Sequence, residues 1–262
     1  MIYSVAIVLV LMFAMLFRAR SMFALLSSQK RMRIGDYDGA LRRVRWLTLG
    51  LPNVAALHNQ GLILSLAGRP QEALRCYQRA MTMAGKGTYY AWERLYACLG
   101  YAMIDLRRYE EAEQYFHRAI ESGDHTGNSQ DGLAELRLVQ GMEPERALDY
   151  ARQAVAHAAR QPGARVPGSY YAHEAWALAQ IGRREEAREA LEKATTVEPV
   201  SARSGASLHW RVGMVLLVLE EEAEARKHFR IAAAADPRGK YGRRCAEQLG
   251  YCVQTLPPKV VR

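Results

Sequence analysis

An all-α fold made of about six helix pairs, preceded by one N-terminal hydrophobic helix, is what this sequence predicts, and three observations predict it. Half of the 262 residues are hydrophobic and Ala and Leu dominate them, a composition that favours helix over strand. Small, large and small residues recur at i, i+4 and i+7, a spacing that places all three on one helical face. Pro52, Pro199 and Pro237 each stand 12 residues after the leading alanine of such a set, where the missing N–H and fixed φ stop a helix and start a turn.

The N-terminal element comes first. From Ile2 to Phe17 only Tyr3 and Ser4 interrupt a run of aliphatic, Met, Ala and Phe residues, and no charge appears before Arg18. About 16 residues at ~1.5 Å each span ~24 Å, between a signal-peptide core and a full membrane crossing of ~30 Å. No basic residue precedes the run and no small-residue cleavage site follows it, contrary to a secretory signal. Basic residues follow instead, so the reading is an uncleaved transmembrane helix over 1–20 with the body on the cytoplasmic side. A cleaved or exported, envelope-facing form is the alternative. Arg18, Arg20, Lys30, Arg31 and Arg33 are candidates for lipid contact, since juxtamembrane cations are attracted to anionic headgroups.

The repeat then occupies residues 21–239. Its second helices are headed by Ala73 (with Tyr77 and Ala80), Ala112 (Phe116, Ala119), Ala187 (Leu191, Ala194) and Ala225 (Phe229, Ala232), with weaker copies at Ala40 and Ala147. The six alanines lie 33 to 40 residues apart, near the ~34 of helix-turn-helix repeats. Each second helix has an upstream partner: Leu57, Gly61 and Leu64; Tyr96, Leu99, Gly100 and Met103; His209, Val212, Gly213 and Leu216. A glycine at the centre of a first helix permits close crossing. Residues 240–262 form a capping helix and tail, needed because a last repeat otherwise exposes an apolar face.

These motifs resemble the tetratricopeptide family, over about residues 21 to 237. The first copy departs from its pattern at Ser27, Ser28 and Arg31, and the fourth has Ala151 where an aromatic is usual. The resemblance implies a superhelix whose inner face binds a partner protein or peptide. It also selects candidate groove residues on the first helices: His58, Asn59 and Leu62; Arg94, Ala97 and Tyr101; His173 and Trp176; Trp210, Arg211 and Met214. Trp176 and Trp210 have a second reading as core, because tryptophan is heavily buried on average. His58 and Leu62 stand where family members that clamp a terminal carboxylate carry Lys and Asn, so an apolar or aromatic partner segment is expected rather than an acidic tail.

Charge and motifs argue against other functions. The net charge of +9 divides unevenly: eight Lys or Arg against two Asp in residues 1–45, six against one Glu in 238–262, and an excess of about two acids between them. An RNA-binding helical repeat, the alternative that a basic chain suggests, needs its cations along a groove. His173-Glu174 begins like a zinc-protease helix, but Ala177 stands where the second ligand belongs. Neither a phosphate loop nor a nucleophile elbow is present. The expectation is a non-enzymatic scaffold with no metal, cofactor, nucleic acid or small-molecule substrate. Four scattered cysteines, Cys76, Cys98, Cys245 and Cys252, suit buried thiols better than a disulfide framework.

Overall fold

The computed structural model describes residues 26–47, 54–85, 91–163 and 165–250, with the single positions 12, 15 and 23 upstream. The apolar run predicted to span a membrane lies almost wholly outside them, as do Arg18 and Arg20. Among the described residues no helix is long and apolar enough to cross a membrane.

All regular structure among these residues is helical. Residues 26–33 form α1, followed by α2 (Tyr37–Leu47), α3 (Val54–Leu66), α4 (Pro70–Ala84), α5 (Trp92–Asp105), α6 (Tyr109–Glu121) and α7 (Asn128–Gln140). Then come α8 (Pro144–Ala159), α9 (Gly168–Ile181), α10 (Arg184–Thr196), α11 (Ala202–Val218), α12 (Glu222–Ala235) and α13 (Lys240–Gln248). From α3 to α12 each odd-numbered helix packs on the even one that follows, and successive odd helices pack side by side. The odd helices therefore line one face of a stack of pairs.

The small–large–small pattern works as the spacing predicts. Ala73, Tyr77 and Ala80 are fully buried, as are Ala112, Phe116 and Ala119. The glycines opposite receive the rings: a Cβ on Gly61 would lie 2.4 Å from Tyr77, and one on Gly213 would lie 2.4 Å from Phe229. Phe116 is gripped from two sides, because a Cβ would meet its ring at 2.6 Å from Gly100 and 2.3 Å from Gly132. The fourth pair thus tolerates Ala151 while the ring of the third pair reaches across to α7. Leu191, read as the large member of the fifth copy, is only partly buried.

The turns inside the pairs also repeat. Gly35, Gly68 and Gly182 have φ of 75°, 68° and 86°, and the corresponding sites in the third and sixth pairs are Arg107 and Glu220, at 58° and 67°. A left-handed residue is required there whatever the side chain, and glycine meets the requirement without a Cβ penalty. An Arg–Glu pair recurs at the entry of the second helix, Arg69–Glu72 at 2.6 Å, Arg108–Glu111 at 2.5 Å and Arg183–Glu186. The acidic partners occupy first turns, where negative charge suits the helix dipole.

The array curls until its ends meet. Tyr37 on α2 donates from its hydroxyl to Asp236 Oδ2, just past α12, at 2.5 Å. Next along the seam, Lys240 and Arg244 of α13 reach Asp105 at the end of α5, at 2.7 and 2.8 Å. α13 packs on α11 and α12 and ties the end of the stack to α5, more than 130 residues earlier. Cys245 and Ala246 on it are fully buried.

Candidate functional site

The inner face of the odd helices carries a buried layer of charge. His173 on α9 is completely buried, and its Nδ1 lies 2.7 Å from Asp131 Oδ1 of α7. Arg211 Nε of α11 donates to His173 Nε2 at 2.6 Å. A guanidinium has no acceptor, so Nε2 carries the lone pair and Nδ1 the proton that Asp131 accepts. Arg211 also donates through Nη2 to Glu135 Oε2 at 2.6 Å and bonds the Ser207 hydroxyl. Tyr101 donates to the Asn128 carbonyl at 2.9 Å and lies 3.2 Å from Asp131 Oδ2. From α13, Tyr241 and Arg244 complete the layer: Arg211 sits 5.1 Å from the Tyr241 ring centre and Arg244 5.0 Å from that of Trp210.

This pairing sets the electrostatics. Burial alone raises the Glu135 carboxyl, but the charges of Arg211, Lys240 and Arg244 outweigh it and hold it down to about 2. Burial opposes charge on Arg211 as well, and neighbouring Tyr241, Glu135 and Asp131 more than restore it, leaving the guanidinium raised. Although Asp131–His173 has the form of a base and its orienting carboxylate, the His173 lone pair is already spent on Arg211. General-base work would require that bond to break. Among the described residues no group of three or more His, Cys, Asp or Glu side chains is placed to hold a metal, and Cys76, Cys98 and Cys245 are free.

The layer divides the inner face. Toward the N-terminal ends of the odd helices lies an open groove of about 770 Å³, bounded by His58, Asn59, Leu62, Arg94, Ala97 and Cys98. Toward their C-terminal ends lies a cavity of about 670 Å³, closed on one side by α13, with Trp176, Trp210 and Met214 in its wall. The sequence-selected residues therefore separate into two groups. His58, Asn59, Leu62 and Arg94 share the open groove, whereas His173, Trp176, Trp210 and Arg211 are 0, 2, 5 and 3 % exposed. Trp176 and Trp210 are buried yet line the wall of the second cavity, and Tyr101 is half-buried in the charged layer. Asp105, Asp131, Glu135, Lys240, Tyr241 and Arg244, absent from the sequence-selected set, form most of that layer. Of the lipid candidates, Lys30 and Arg33 are exposed, and Arg31 pairs with Asp36.

His58 is the titrating group of the groove. Burial, with Arg94 adding to it, pulls its imidazole down to about 4, and its Nε2 lies 3.4 Å from the Cys98 thiol. A folded pKa below the unfolded 6.5 means that the unfolded chain binds the extra proton, so stability is lost as pH falls from 6.5 toward 4. The full shift corresponds to ~3 kcal/mol, and ~2 kcal/mol is expected because part of the ring stays in water. Urea midpoints measured at pH 7 and pH 4.5 should show this slope, and His58→Gln should flatten it. His209 and His228, also lowered by burial and 2.8 Å apart through their Nδ1 atoms, contribute to the slope that remains, as do the lowered carboxyls of Asp36 and Asp124.

The geometry defines a class first: a helical-repeat solenoid whose inner face is formed by the first helix of every pair. Three family models, each described as a tetratricopeptide repeat, match residues 56–87, 94–123 and 173–240. This chain therefore carries tetratricopeptide repeats. Solved structures agree in fold. The thermophilic tetratricopeptide protein TTC0263 of Thermus thermophilus aligns with TM-score 0.56 and 17% identity, over 75% of this chain and 98% of that one. Cut9–Hcn1, the anaphase-promoting-complex hetero-tetramer, aligns with TM-score 0.61 and 14% identity over 86% of this chain, which spans 42% of that one. No curated protein sequence matches the chain.

Proposed function

We propose that this chain is a tetratricopeptide-repeat adaptor that binds a partner protein or peptide through the open groove across α3, α5 and the start of α7, and that its N-terminal apolar run tethers it to a membrane. One observation carries the groove assignment: about 770 Å³ stays open over the second and third pairs, beside the paired charge, and no residue of α13 lines it. The groove combines apolar Leu62 and Ala97 with His58, Asn59 and Arg94, whose side chain is 75 % exposed. Apolar area for affinity beside a few polar groups for register is the usual composition of a recognition surface. The 16-residue apolar run followed by Arg18 and Arg20 supports the tether, which would confine the adaptor to a surface and raise its effective concentration there.

The test compares full-length wild type with Asn59→Ala/Arg94→Glu and with Lys193→Glu, an exposed site on α10, in capture from native lysate. A protein retained by wild type and Lys193→Glu but reduced more than about ten-fold by the groove variant supports the assignment, since a hot-spot contact is worth ≥ ~1.4 kcal/mol. Equal retention by all three, at unchanged melting temperature, overturns it.

A further inference from the structure

Charge on the outer side of the stack is uneven in a way that the repeat does not require. Between Asp38 and Glu93 the sequence holds a single acid, Glu72, against seven Lys or Arg. Arg42 and Arg45 of α2 and Arg75 and Arg79 of α4 are all exposed. They converge on one spot. Arg45 lies within electrostatic reach of both Glu72 and Cys76, as Arg75 does of Glu72 and Arg79 of Cys76, and Arg42 stands one turn before Arg45 on the same side of its helix. Glu72 does not neutralise the cluster, because Arg69 takes both of its oxygens at 2.6 Å. Later even-numbered helices match their cations with acids instead, as in Arg188–Glu221 and Lys227–Glu224, and α6 carries Glu110, Glu111, Glu113 and Glu121 against Arg118. The excess of positive charge is thus confined to the outer helices of the first two pairs.

We infer that the outer face of α2 and α4 docks on a bilayer surface rich in anionic lipid, laying the first two pairs against the headgroups. The inference rests on the membrane tether proposed above for its choice of partner, and it adds what orients the array on that membrane. Reach favours the bilayer. α1 begins eight residues after Arg18, at most ~28 Å of chain, and its exposed Lys30 and Arg33 lie between the apolar run and the arginines of α2 in the chain. Basic clusters of about this size just beyond a membrane helix are attracted to acidic headgroups. Met83, one turn after Arg79 and 44 % exposed, adds an apolar side chain suited to the headgroup boundary. RNA is the weaker fit, since cations for a strand are needed along a groove and these stand on the outer side. Docking in this way leaves the open groove of α3 and α5, on the inner face, free for its partner.

The full chain is partitioned between buffer and sedimentable vesicles made of phosphatidylcholine alone or with about one-third phosphatidylglycerol. The ratio of the two partition coefficients isolates headgroup charge from the apolar run, which both vesicles receive equally. Wild type should favour the anionic vesicles. Arg75→Gln/Arg79→Gln should lower the ratio by ~10- to 25-fold, because a cation near an anionic surface is worth about five-fold. Raising salt from ~0.1 to ~1 M, which shortens the screening length from ~10 to ~3 Å, should remove the preference. Arg226→Gln/Arg230→Gln takes the same charge from exposed sites on α12 and should leave the ratio unchanged. A ratio near one in wild type, an unchanged ratio in the α4 variant or an equal fall in the α12 variant overturns the inference, as does tighter binding to a short oligouridylate than to anionic vesicles, lost with the same α4 variant. Arg42→Gln/Arg45→Gln repeats the test from α2 if the α4 variant melts lower than wild type. Loss of retention on phosphatidylcholine with the anionic preference intact would unseat the tether and support the docking face, so the two readings fail separately.

Discussion

Replacing Arg211 by Met should cost about 3–5 kcal/mol, the usual penalty for removing one partner of a buried ion pair. Arg211 is 3 % exposed, and Glu135, which its Nη2 holds at 2.6 Å, is fully buried. Without the guanidinium the nearest cation to that carboxylate is Arg244, at 3.9 Å from Glu135 Oε1, and His173 Nε2 loses its donor. The loss should appear as a lower urea midpoint. Glu135→Gln in the Arg211→Met background should recover part of it, because an amide does not demand a counter-charge. If Arg211→Met shifted stability by less than ~1 kcal/mol, the layer would not be the paired network described. The Glu135 contribution has its own pH signature: a carboxyl lowered to about 2 stabilises above its ordinary value of 4.5, and that support disappears as pH falls from 4.5 toward 2.

Phe116→Ala should cost a comparable ~3–5 kcal/mol, as for other buried aromatic truncations. Its ring is fully buried and sits against both Gly100 and Gly132, so the hole opens between two neighbouring pairs at once and neither can collapse into it alone. Gly132→Ala attacks the same contact from the other side. A Cβ at 2.3 Å from the ring must displace it, at ~1–3 kcal/mol for overpacking. Phe116→Leu combined with Gly132→Ala should be less destabilised than the sum of the two, and strict additivity in thermal melts would mean that ring and glycine are not in contact.

The repeat is legible in the sequence because everything that defines it is local. Ala73, Tyr77 and Ala80 lie within eight residues, and Gly61 precedes them by one short hairpin. The charged layer is not local. Asp131, His173, Arg211 and Tyr241 are single residues on four helices, each a full repeat from the next, and each alone resembles an ordinary solvated charge. Only stacking brings them together. The repeat pattern places His173 and Arg211 on first helices, but their burial depends on α13 lying across the inner face. Nothing in the pattern of residues 240–248 predicts a helix that seals the stack back to Asp105.

The hydroxyl of Tyr37 on Asp236, 199 residues away, changes what kind of polymer this is. An open solenoid is a one-dimensional chain of units, each stabilised only by its neighbours, so it can melt inward from either terminus and its stability grows by increments as units are added. Here α2 and the loop between α12 and α13 share a bond, so the two ends of the described stack are coupled. Loosening either end breaks that bond, which adds cooperativity between the first and last described pairs. Insertion or deletion of one unit, tolerated by an open array, would here separate Tyr37 from Asp236 and Asp105 from Lys240 and Arg244.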